Sequence, residues 1–80
     1  MHQDRFSLQV ETQPATGDPQ PQRFRLWGGM VHVEEVIDRW PSDARAYFKV
    51  RGDDGGIYII GYSVPHRSWD LQAYQARPEI

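Results

Sequence analysis

The chain has 80 residues, no cysteine and a formal charge of −2, which predicts one small domain over residues 1–80 that no disulfide or thiolate zinc site can staple. Nine basic against eleven acidic residues exclude the strong positive field of a protein that grips duplex DNA by its phosphates. Its apolar side chains must therefore pack closely enough to hold the fold alone.

The first residues, Met1 to Arg5, include an acid and lead into alternation rather than an apolar run, so no secretory leader is expected. Phe6, Leu8 and Val10 then alternate with Ser7, Gln9 and Glu11, the period of a half-buried strand. Residues 13–22 hold three prolines and a glycine, and read as a loop. Phe24 and Leu26 alternate with Arg23 and Arg25 as a second strand, and Gly28-Gly29 marks a turn or bulge. Val31 and Val33 share one face of a third, but Val36 and Ile37 fall out of phase with them. One extra residue near Glu34-Glu35 would produce that shift. A helical turn through Val33, Val36, Ile37 and Trp40 is the competing reading, and the β-branched composition favours the strand. Trp40-Pro41-Ser42-Asp43 is expected to end it.

Ala46, Phe48 and Val50 alternate with Tyr47, Lys49 and Arg51, Gly52 to Gly56 supply turn chemistry, and Ile57 to Tyr62 return as a hairpin. The returning strand is apolar on both faces and is expected to be central. It also contains the longest apolar run, Ile57 to Ile60, far short of the ~20 residues of a membrane helix, so a cytoplasmic location is expected. Ser63 to His66 form a turn, and Trp69, Leu71 and Ala73 alternate with Ser68, Asp70 and Gln72 as the last strand. Tyr74 would anchor its end, with residues 76–80 frayed.

Short strands at regular spacing with turns between them predict an all-β fold: an antiparallel meander of five to six strands curled into a small, partly open SH3-like barrel. Its expected interior is Phe6, Leu8, Val10, Phe24, Leu26, Val31, Val33, Val36, Phe48, Val50, Ile57, Ile59, Trp69 and Leu71.

The order of Pro21-x-x-Phe24-x-x-Trp27-Gly28, Val33-x-x-Val36-x-x-x-Trp40, Tyr47-Phe48-x-Val50, Asp54-Gly55-Gly56-x-Tyr58 and Trp69-x-Leu71-x-x-Tyr74 resembles a small bacterial domain of unknown function. That domain occurs as a free-standing short protein and as the C-terminal appendage of Y-family DNA polymerase-like mutagenesis proteins. The resemblance spans residues 5–75 and implies an association with DNA repair, without any catalytic residue. Gly29 stands where the family tends to carry a basic residue, and Gln75 where it carries an aspartate.

No constellation for catalysis emerges, so a non-enzymatic binding module is expected. Gly61-Tyr62-Ser63-Val64-Pro65 begins like a nucleophile elbow but ends in proline, without an α/β scaffold to present the serine. Gly52 to Gly56 lacks the lysine of a phosphate loop and the ligand spacing of a calcium loop. His2, His32 and His66 are too scattered for a zinc site, and no metal or other cofactor is expected. Glu34 and Glu35, as neighbours on a strand, would diverge rather than share a proton.

Period two leaves a possible outer face of Arg23, Arg25 and Trp27, of Tyr47, Lys49 and Arg51, and of Tyr58, Ile60 and Tyr62. Rings interleaved with cations suit single-stranded nucleic acid, whose bases stack while its backbone follows the charges. The same residue types suit a protein-docking surface. Against both stands a second packing layer of Trp27, Tyr58, Ile60 and Tyr62, with the arginines paired to Glu34, Asp38 or Asp70. A monomer is expected in each case.

Overall fold

A computed structural model describes residues 6–12, 20–26 and 28–76, with Phe6 as backbone alone. Six strands follow one another: β1 (Phe6–Thr12), β2 (Pro21–Leu26), β3 (Gly29–Ser42), β4 (Arg45–Gly52), β5 (Ile57–Ser63) and β6 (Ser68–Gln75). Each pairs antiparallel with the next, and β1 pairs with β6, so the meander closes into a small SH3-like barrel. Closure hides the two terminal edges that a flat meander would leave open.

The interior is built by residues that face one another across the ladders. Phe48 lies opposite Ile60, Val50 opposite Tyr58, Phe24 opposite Val31 and Leu8 opposite Trp69. All eight are buried, together with Leu26. Phe24 meets the Tyr58 ring edge-on at 5.0 Å, and Phe48 lies 5.6 Å from Trp69. Edge-on contacts of this kind add to burial because the ring edge is positive and the face negative.

Four expectations require correction. First, Ile57 and Ile59 do not belong to the interior: Tyr58 and Ile60 do, and the isoleucines are half-buried on the other face. A strand apolar on both faces has no alternation to set its phase, and pairing with Phe48 and Val50 decides it instead. Tyr58 tolerates burial because its hydroxyl donates to Asp54 Oδ2, while Asp54 Oδ1 accepts from the Gly56 N–H. Second, the predicted loop ends early, since Pro21 opens β2 opposite Thr12. Proline is admissible at a first strand position, where a missing N–H costs least.

Third, β3 continues through Pro41 and Ser42, leaving Asp43 and Ala44 as the turn into β4. It can do so because, among the described residues, β3 pairs with β2 only from Gly29 to His32 and with β4 alone from Val33 onward. Its second half is a sheet edge, where proline is tolerated. Fourth, the barrel is closed rather than partly open. The bulged strand at 33–40 is observed, with register shifts at Val33/Glu35 and Val36/Asp38. Residues 13–19 of the expected loop, 77–80 of the expected frayed end, Trp27 and the Phe6 side chain lie outside what is described. No described helix is long and apolar enough to cross a membrane.

Candidate functional site

On the outer side of the sheet a row of residues runs across five strands. Register places Trp40 opposite Tyr47, Tyr47 opposite Gly61, Gly61 opposite Asp70 and Asp70 opposite Ser7. Trp40 stacks on Tyr47 with ring centres 5.7 Å apart and planes 25° from parallel. Arg45, two residues before Tyr47 and so on the same face, lies with its Cζ 5.5 Å from the centre of the Tyr47 ring. Its Nη2 donates to both oxygens of Asp70, at 2.9 and 2.8 Å.

Gly61 makes this arrangement possible. A Cβ there would stand 2.7 Å from Arg45 Nη2, 3.0 Å from Asp70 Oδ1 and 3.2 Å from Tyr47 Cε1. With no side chain at 61, the guanidinium can approach the β5 backbone there. Both partners are largely withdrawn from water, Arg45 at 17% and Asp70 at 13% side-chain exposure, so the attraction is little screened. The Asp70 hydrogen bond outweighs burial, and with Tyr47 it raises the Arg45 pKa, keeping the guanidinium charged. Asp70 thus holds Arg45, Arg45 holds Tyr47, and Tyr47 holds Trp40. Trp40 remains 37% exposed.

Beside this stack, Arg39, Trp40, Pro41, Ala46, Tyr47 and Phe48 line a notch of about 100 Å³ on the open edge of β3. The edge itself is blunted. Two bulges bend it, Pro41 has no N–H to offer, and the Arg39 N–H donates to Asp38 Oδ1 at 2.8 Å. Bulges, proline and charge are the devices by which native proteins keep an edge from recruiting further strands.

The residues expected to form a binding face are distributed otherwise. Arg23 and Arg25 are exposed on β2, and Arg51 is exposed on β4 with Tyr47 and Lys49 half-buried beside it. Tyr58 and Tyr62 face the other way: Tyr58 is in the core, and Tyr62 packs against it from opposite Ala46, 4.8 Å from Trp69. The correction follows from the phase of β5, which carries both tyrosines inward. Trp27 is outside the described residues. The cations are also accompanied by carboxylates: Arg23 pairs with Glu11 at 2.5 Å, Arg51 pairs with Glu35, and Lys49 sits opposite Asp38. Among the described residues, the rings expected at 58 and 62 are therefore not on the face that carries the cations.

Ending the third strand at Trp40 hides the Trp40–Tyr47 stack, which a two-residue turn at 43–44 sets in register. Period two puts Arg45 on the side of Tyr47, but its pairing with Asp70 comes only from the β4–β5 and β5–β6 registers. No family model, curated protein or solved structure matches the chain.

Proposed function

We propose that this domain is a non-enzymatic docking module that holds a protein partner on the outer face of β3 and β4, with an apolar side chain of the partner seated in the notch beside Trp40. The observation that carries the reading is the braced Trp40–Tyr47 stack. Tryptophan, tyrosine and arginine dominate interface hot spots, and a ring already fixed in place loses little freedom when it binds. Because Pro41 and Asp38 remove donors from the edge, the partner is gripped by side chains rather than by adding a strand. Pairing of Arg23, Arg51 and Arg45 with carboxylates counts against single-stranded nucleic acid as the ligand. The resemblance suggests bacterial DNA metabolism as the setting in which to seek the partner.

The test is retrieval from lysate by the intact domain and by a Trp40→Ala variant of verified fold. A defined protein is expected with the former and not with the latter. Equal retrieval by both, or quenching of tryptophan fluorescence by a short oligothymidylate at physiological salt, would overturn the reading.

A further inference from the structure

We propose that Asp54, in the turn between β4 and β5, is a covalent modification site: a place of spontaneous isoaspartate formation that the native turn holds in check. Asp54-Gly55 is the one Asp-Gly pair in the chain, which contains no asparagine. The chemistry needs no enzyme and no co-reactant other than water. The Gly55 nitrogen attacks Asp54 Cγ and gives up its proton. The new Cγ–N bond closes a five-membered succinimide as a Cγ–O bond breaks, and that oxygen leaves as water. Water then reopens the ring at either carbonyl. Attack at the main-chain carbonyl leaves the chain running through Cβ and Cγ, with a free α-carboxylate at 54. Glycine in the following position favours closure, because it has no Cβ to crowd the ring and reaches backbone angles closed to other residues.

The native turn already uses the groups that this reaction consumes. The Gly55 N–H donates to the Gly52 carbonyl at 3.0 Å. Asp54 Oδ1 accepts from the Gly56 N–H at 2.8 Å, and Oδ2 accepts from the hydroxyl of buried Tyr58. Ring closure removes the Gly55 proton and one carboxylate oxygen, so it gives up the bond to Gly52 and one of the two that hold Asp54. The frame around them is pinned as well: the Gly52 N–H donates to the Gly56 carbonyl at 2.9 Å, and the Asp53 N–H to the His32 carbonyl at 2.8 Å. Asp53 and Asp54 are nevertheless exposed, and a turn that faces solvent opens at lower cost than the core. That local opening sets the rate of modification, and Tyr58 is the positioning residue that limits it. Once formed, the β-linkage adds one atom to the main chain and displaces the acceptor of the Tyr58 hydroxyl, so the turn no longer closes as before.

The test follows isoaspartate at position 54 in the full chain at neutral pH and physiological temperature. Peptide mapping with electron-transfer fragmentation separates the two isomers, which have equal mass. Wild type, Tyr58→Phe and Leu8→Val are each incubated folded and in urea, the fold of both variants being verified first. In urea all three should be modified at one common rate, at Asp54 ahead of every other aspartate. Folded wild type should be slower by roughly tenfold or more. Folded Tyr58→Phe should run roughly fivefold faster than folded wild type, for the loss of one hydrogen bond. Leu8→Val trims the core on β1, remote from the turn, at a comparable loss of global stability. It should leave the folded rate unchanged. Equal rates in folded and urea-unfolded wild type would overturn the proposal, as would a rise with Leu8→Val equal to that with Tyr58→Phe. So would a Tyr58→Phe rate no faster than wild type, since the phenol would then assist departure of the oxygen rather than restrain it.

Discussion

Replacing Gly61 by alanine is the sharpest probe of the outer platform, because its cost should depend on another residue. In a strand interior, glycine to alanine ordinarily stabilises by about 0.5–1 kcal/mol, since glycine loses more chain freedom on folding. Here the new methyl would meet Arg45 Nη2 at 2.7 Å and Asp70 Oδ1 at 3.0 Å. Overpacking of this kind costs about 1–3 kcal/mol. The guanidinium is a flexible end, so the pair can lift, but only by giving up the two hydrogen bonds that hold it. A net loss of about 1–2 kcal/mol follows, or a fall in Tm of roughly 4–8 °C per kcal/mol for a domain of this size. In an Arg45→Met background the closest contact is gone and Asp70 can turn outward, which leaves Tyr47 Cε1 at 3.2 Å as the remaining tight neighbour, so the cost of Gly61→Ala falls close to zero. Urea denaturation of the four members of this cycle, followed by tryptophan fluorescence, measures the coupling directly. Equal cost in both backgrounds, within about 0.3 kcal/mol, would refute the claim that Gly61 is there for the bridge.

The other predictions concern the core and the edge. Burial, and then the hydrogen bond to Asp54, push the Tyr58 phenol well above its ordinary value. The native state therefore keeps a proton that the unfolded chain releases above about pH 10, so stability is full below that pH and falls by about 1.4 kcal/mol per unit above it. Tyr58→Phe should cost about 1 kcal/mol at neutral pH and reduce that alkaline slope; urea midpoints between about pH 8 and 11 test both. An unchanged slope would mean that Tyr58 is not the group responsible. Asp38→Ser with Pro41→Val returns donors to the edge of β3 and should produce concentration-dependent self-association by light scattering. A monomer at every concentration would show that the edge needs no such protection.

Much of the barrel was legible because strands exposed on one face announce their phase. Phe24 and Leu26 against Arg23 and Arg25, or Phe48 and Val50 against Tyr47 and Lys49, leave one solution. The bulge was legible for the same reason, as a break in that phase between Val33 and Val36. Where both faces are apolar, as at Ile57 to Tyr62, alternation carries no information, and only the partner strand decides which set enters the core. The site suffered from the end of β3 in the same way. Pro41 reads as a strand breaker unless the strand is known to be an edge, which is a property of the assembled sheet. The Arg45–Asp70 pair depends on the β4–β5 and β5–β6 registers together, and no local pattern spans 25 residues.

The docking claim is tested most directly by placing a photo-reactive phenylalanine analogue at position 40 in one variant and at position 25 in another, and irradiating each in lysate. Position 25 carries an exposed arginine on β2, away from the braced stack. A discrete protein adduct from position 40 and none from position 25 is the predicted result. Equal adducts from both positions, or an adduct at 40 that nuclease digestion removes, would contradict it.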